Sequence, residues 1–211
     1  MKSFSDAQLY AFVDTAYLHG RIPTDVARQL CNGGADVIQL RAKKESHEEI
    51  MRMAEAILPI CQAAGVPLVI NDFLDIAQKV GADCVHLGQE DFFDAGLTHR
   101  SQLSFRPNQL GLSSHSPEQA QRAVQAAADY IAIGPVFATG TKPGRPAVTP
   151  EYVRWAATHV SIPWFAIGGI TLENLDEVLR AGARRICVVS AILNASDIAE
   201  ACRTFKKRLA P

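Results

Sequence analysis

Three short stretches carry much of the chemistry this chain offers: "QLRAKK" from Gln39, "VINDF" from Val69 and "LGQED" from Leu87. Each begins apolar and breaks into amides, cations or carboxylates. Alternation along a strand puts Gln39 and Arg41 on one face, with Lys43 just beyond. A buried cation is expensive unless it is paired. These three residues therefore call for an anionic ligand, which we favour, or for a structural salt bridge to an Asp on a neighbouring strand. Asn71, Asp72, Gln89, Glu90 and Asp91 end the other two runs. Their carboxylates either pair with Arg41 and Lys43 or hold a metal. Oxygen donors with few histidines suit Mg²⁺ better than zinc, and Asp72 with Asp91 is the simplest ligand pair.

Further polar groups follow the same rule of position. Ser113, Ser114 and His115 end one apolar run. "GPVFATGTK" ends another and supplies Thr139, Thr141 and Lys142. Gly168-Gly169 and Val189-Ser190 end two more, and a Gly-Gly backbone can approach a phosphate closely. His86 lies inside a run, in phase with Gly88. We read it as a satisfied core histidine, with a supporting role beside Asp91 as the alternative.

Strands must carry these groups. Runs rich in Val and Ile fall at Leu9–Asp14, Val37–Arg41, 67–72, 84–88, 109–115, 130–136, 163–169 and 185–192. Amphipathic segments separate them, among them 46–64, 117–128, 150–159, 171–181 and 196–209. The weakest helix is the one after the fourth strand, where "DAGLTHRSQLSFRPN" is short and broken. Strand then helix, eight times over, predicts an all-parallel sheet. "GGADVIQL", "GADCVHLG" and "AADYIAIG" echo one another, with "AGARRICVV" a worn fourth copy. Their aspartates, Asp36, Asp83 and Asp129, stand 47 and 46 residues apart, about two strand–helix units. Repeated quarter-units favour an α/β fold closed as a (β/α)8 TIM barrel, whose active sites sit at the C-terminal strand ends. One domain over residues 1–211 is expected. The long Gly/Pro/Thr-rich segment 137–149 is expected to serve as a lid.

Composition narrows the partners. A net charge of -1 and 48% apolar residues give no support for nucleic acid or a membrane surface. Five dispersed cysteines without a C-x-x-C pair read as reduced buried thiols. The first residues lack a signal-peptide pattern, and no run approaches the ~20 apolar residues that span a bilayer. The expected location is the cytoplasm. Two anion sites emerge, one on Gln39, Arg41, Lys43, Lys142 and a metal at Asp72 and Asp91, the other on backbone near Gly169 and Ser190. Two phosphorylated small molecules joined across the barrel mouth, by leaving-group departure under charge neutralisation, fit that layout.

"QLRAK", "NDFLDIAQKVGADCVHLGQED", "GLSSHS", "DYIAIGPVFATGTKPGRP" and "AIGGI" stand in the order and spacing of thiamine-phosphate synthases, and the chain resembles that family from about Leu9 to Ile192. The resemblance implies a Mg²⁺-dependent transferase that joins 4-amino-2-methyl-5-hydroxymethylpyrimidine diphosphate to hydroxyethylthiazole phosphate through a carbocation-like state. It implies Mg²⁺ ligands at Asp72 and Asp91. It implies diphosphate contacts at Gln39, Arg41, Lys43, Ser113 and Lys142, of which Arg41, Lys43, Ser113 and Lys142 take the catalytic role. Asn71 would touch the pyrimidine diphosphate. Thr139, Thr141, Gly169, Val189 and Ser190 would hold the thiazole phosphate. Val13-Asp14 and Ser114 depart from the family pattern, where Thr is usual before the first aspartate and at position 114. Three alternatives remain, the weakest a different phosphate-handling barrel such as an epimerase or an indole-pathway enzyme, which leaves Asp72 with Asp91 unexplained. A thiazole tautomerase resembles this barrel but carries Gly-His where this chain has Gly134-Pro135. A non-catalytic regulator would bind thiamine intermediates.

Overall fold

The computed structural model describes residues 3–82, 84–139 and 147–210. Eight parallel strands close into a barrel in chain order, with β1 pairing β8. The strands are β1 (Leu9–Asp14), β2 (Val37–Arg41), β3 (Leu68–Asn71), β4 (Cys84–Leu87), β5 (Gln109–Ser114), β6 (Tyr130–Ile133), β7 (Trp164–Ile167) and β8 (Ile186–Val188). The helices are α1 (Pro23–Asn32), α2 (His47–Ala63), α3 (Leu74–Val80), α4 (Gln89–Phe92), α5 (Pro117–Gln125), α6 (Thr149–His159), α7 (Leu175–Arg180), α8 (Ser190–Leu193) and α9 (Ile198–Leu209). The expected barrel is present. The eighth strand is shorter than the apolar run suggested, because Ser190–Leu193 turns into helix α8. Among the described residues, no helix is long and apolar enough to cross a membrane.

Local chemistry sets the helix starts. Ser46 caps α2 through a reciprocal box with Glu49, satisfying donors that the first turn leaves open. Pro23 and Pro117 stand at the first position of α1 and α5, where a missing N–H costs nothing. After β4 the chain makes only the four-residue α4 and a short 3₁₀ turn at Arg100–Gln102, as its broken pattern foretold.

Strand alternation divides the core in two. Leu9, Ala11, Val13, Ile38, Leu40, Leu68, Ile70, Val85 and Leu87 face outward and pack beneath the helices. The inward set is different in kind. Phe4, Tyr10, Phe12, Tyr130 and Phe165 fill the interior with Val37, Val69, Cys84 and Cys187. A barrel centre is usually built from Val, Ile and Leu, so this interior is aromatic where aliphatic packing was expected. Phe4, from the segment before β1, stacks on Tyr130 at 4.5 Å and 21° and plugs the N-terminal end.

The echoed aspartates anchor that same end. Asp36 Oδ2 accepts from the Gln8 and Leu9 amides, each at 2.9 Å, and is ion-paired to Lys206 of α9 at 2.6 Å. Asp129 Oδ2 accepts from Leu110 N at 2.6 Å and is paired to Arg100 at 2.8 Å. Each carboxylate stands just before one strand and ties down the start of the previous one. The repeat therefore marks a structural device at the barrel floor. Asp83 lies outside the described residues.

Asp36→Ala is expected to cost about 3 kcal/mol in urea unfolding, because it takes the acceptor from two backbone amides and leaves Lys206 with Gln8 Oε1 in place of its ion pair. Alkali should also weaken the fold. Burial pushes the Tyr10 and Tyr130 phenols well above their ordinary value of 10.0. The folded chain then keeps protons that the unfolded chain releases. The stability they contribute is complete below pH 10.0 and is lost as pH rises beyond it. Unfolding midpoints measured on either side of that value check the sign.

Candidate active site

The C-terminal ends of the strands surround a cavity of about 380 Å³. Gln39, Arg41, Lys43, Asn71, Asp72, Asp91, Ser113, Thr139, Gly169, Val189 and Ser190 all line it. Eleven of the thirteen residues that the resemblance assigns to the site are thus brought to one place. Thr141 and Lys142 lie outside the described residues, as does the segment 140–146 of the expected lid. Gln89 does not line the cavity. One residue into α4, it turns back to donate to Ser113 O at 2.6 Å and to accept from Arg122, while Glu90 and Asp91 face inward.

On β2, Arg41 makes the salt bridge of the bland reading and also lines the cavity. Arg41 Nη1 reaches Asp14 Oδ2 at 2.8 Å, and the two residues are register partners on adjacent strands. Asp14 is only 1% exposed, and its carboxylate also accepts from Ala16 N at 3.1 Å. The remaining guanidinium donors are available to the cavity that Arg41 lines. Asp14 was missed as a site residue. Its inward phase with Tyr10 and Phe12 was the signal that could have found it. Gln39, buried on the same face, donates from Nε2 to Tyr10 Oη at 2.7 Å.

β3 and β4 place the carboxylates. Asp72 takes the left-handed conformation at φ 68, which a short polar side chain tolerates, and its N–H donates to His86 O at 2.9 Å. Lys43 is ion-paired to Asp72. Burial is the largest influence on the Asp72 carboxyl and raises it above the ordinary carboxylate value. Lys43 lowers it, and Asp91 facing it pushes it up again. Asp91 Oδ2 accepts from Gly88 N at 3.2 Å. A side chain at 88 would press on it, since a Cβ there would lie 2.8 Å from that oxygen. Two facing carboxylates, partly withdrawn from water, are a donor set for a hard cation. Among the described residues no group of three or more His, Cys, Asp or Glu could hold a metal. A cation here would keep water or phosphate oxygens, in the manner of Mg²⁺ rather than zinc.

His86 is a satisfied core histidine. Its Nδ1 meets Tyr130 Oη at 3.2 Å and its Nε2 meets Ser113 Oγ at 3.0 Å, so its ring hydrogen bonds lead to Ser113 rather than to Asp91. Ser114 points outward to Tyr152 and takes no part in the cavity. Across the mouth, Gly168 and Gly169 have φ of 101 and 65. A Cβ on Gly169 would lie 2.7 Å from Ala138 O, so the glycine is demanded by packing against the β6 loop. Asn174 Nδ2 holds Gly169 O at 2.8 Å. Ser190 opens α8 beside it.

The matching family model, described as thiamine monophosphate synthase, covers residues 9–192. A thiamine-phosphate synthase of Thermus thermophilus is 49% identical over 178 residues, 84% of each chain. One from Acidothermus cellulolyticus is 45% identical over 210 residues, 99% of this chain and 97% of its own. Among solved structures, a thiamine phosphate pyrophosphorylase from Pyrococcus furiosus superposes with a TM-score of 0.81 at 28% identity, covering 98% of this chain and 96% of its own.

Arg41→Ala should leave the buried Asp14 without its cation, at a cost of roughly 3 kcal/mol in urea unfolding. Adding Asp14→Asn should recover most of that loss.

Proposed function

The chain belongs to the thiamine monophosphate synthase family, and we propose that it joins 4-amino-2-methyl-5-hydroxymethylpyrimidine diphosphate to hydroxyethylthiazole phosphate, with Mg²⁺ held by Asp72 and Asp91. One observation carries the reading. The cavity is lined by Arg41 and Lys43 together with two facing carboxylates, which supports a diphosphate and a cation meeting at one mouth lined elsewhere by Gly169 and Ser190.

The residues then divide the work. Arg41, held by Asp14, and Lys43 bind the diphosphate, and Lys142 is assigned to it with them. Mg²⁺, when bound, supplies Lewis-acid neutralisation of the departing diphosphate. The pyrimidine C–O bond breaks, its electron pair leaves with the diphosphate, and the aminopyrimidine ring delocalises the cation. The thiazole nitrogen then forms the new C–N bond. Thr139, Thr141 and the backbone of Gly169, Val189 and Ser190 place the thiazole phosphate so that this nitrogen, rather than water, meets the cation. Phe12, Pro135, Ile167 and Ile170 line the cavity and keep water from it.

Purified protein with both substrates is expected to form thiamine phosphate and diphosphate in equal amounts, and only with Mg²⁺. Asp91→Asn should lower kcat/KM by about a hundredfold or more. Product formation undiminished by a chelator would sink the metal assignment. A folded protein that makes no product would sink the synthase reading and leave the tautomerase or a binding role.

A further inference from the structure

Four hydrogen bonds run in series through the barrel, from β2 to β5. Gln39 Nε2 lies 2.7 Å from Tyr10 Oη, Tyr10 Oη 3.0 Å from Tyr130 Oη, Tyr130 Oη 3.2 Å from His86 Nδ1, and His86 Nε2 3.0 Å from Ser113 Oγ. Every member is buried. None of Tyr10, Tyr130 and His86 has a part in the reaction as described above.

Counting protons gives the chain a direction. An amide nitrogen can only donate, so Tyr10 Oη receives from Gln39. Burial keeps both phenols protonated, so each has one hydrogen to give. Tyr10 then gives its hydrogen to Tyr130, and Tyr130 gives its own to His86 Nδ1. A ring nitrogen that accepts carries no proton, so a neutral His86 carries it on Nε2. That proton goes to Ser113 Oγ. Four links use four hydrogens, one each. The Ser113 hydroxyl hydrogen is left over, and among the described residues its oxygen has no other side-chain or backbone partner. Ser113 lines the cavity.

The joint between Tyr130 and His86 is built into the backbone. A Cβ on Gly111 would lie 2.4 Å from Tyr130 Oη and 2.5 Å from His86 Nδ1. Only the missing side chain of β5 lets those atoms meet. Phe4 stacked on Tyr130, and Phe165 set edge-on to both tyrosines, fix the two phenols in place.

We propose that Tyr10, Tyr130 and His86 are positioning residues that hold His86 as its Nε2–H tautomer and so commit the Ser113 hydroxyl as a hydrogen-bond donor to the leaving diphosphate. The inference rests on the reaction assigned above and adds the origin of Ser113's polarity. Ser113 loses no proton in the step. It strengthens its donation as charge builds on the diphosphate oxygen, which is where a fixed donor is most effective.

The tautomer can be read on the free protein, labelled with ¹⁵N-histidine, from long-range ¹H–¹⁵N correlations. The His86 signals are assigned by their absence in His86→Gln. A protonated Nε2 with a bare Nδ1 is expected. A protonated Nδ1 turns the two His86 links round, so that Ser113 donates to Nε2 and has no hydrogen left for the cavity, and overturns the proposal. Kinetics supply the second test. Ser113→Ala, Tyr130→Phe and Gly111→Ala are each expected to lower kcat roughly tenfold while moving KM for the pyrimidine diphosphate by less than about twofold. Tyr130→Phe added to Ser113→Ala should cost nothing more, because the relay acts only through that hydroxyl. His86→Gln, which can keep a donor at the Nε2 position, should retain more activity than His86→Leu. Losses that multiply in the double variant overturn the proposal. The tautomer is measured without substrate, so failure there counts against the relay, whereas absence of product from the parent chain counts against the reaction.

Discussion

A side chain that points into a closed barrel has nowhere else to go, so it must be apolar or paired. Most of this molecule's arrangement follows from that constraint. Closing eight strands commits every second residue to the interior. From floor to mouth, the inward positions pass from Phe4 and Phe165, through the phenols of Tyr10 and Tyr130, to His86 and Gln39, and then to Arg41 and the carboxylates. Polarity rises along the axis, and each polar layer is satisfied by the one beside it. At the mouth the polar groups line an open cavity.

The mouth is also where opposite charges are held close without cancelling. Asp14 steadies Arg41 and Lys43 reaches Asp72, yet Asp72 and Asp91 still face one another. Like charges kept together in a partly dry cleft are costly to the protein, and a cation between them would relieve that cost. In the proposed reaction, local instability and readiness for a metal would have the same origin.

Much of this was legible in the residues. Period-two alternation gave β1 and β2 their observed bounds and put Gln39, Arg41 and His86 on the inner face. What sequence could not give was pairing across strands. Asp14 became visible as Arg41's partner only once β1 and β2 had a register. Likewise "VVSAIL" reads as a strand by composition, but a barrel strand must end at the rim, and the chain turns into α8 there. Gln89 misled for a different reason. It follows a strand but already belongs to a helix, so neighbours about 100° apart face different surroundings. The aspartate echo was real, and its meaning lay at the opposite end of the barrel from the chemistry.

That opposite end has a consequence for how the chain is made. The floor is assembled from both extremes of the sequence. Phe4 plugs it, Arg185 holds Ser5 O, Gln8 Nε2 donates to Leu209 O at 3.0 Å, and Lys206 completes Asp36. A growing chain emerges with its first residues leading. It can pair its strands and close β8 onto β1, but Asp36 has no cation until α9 has been synthesised. Helix α9 then acts as a clasp, joining Lys206 to Asp36 and Leu209 O to Gln8.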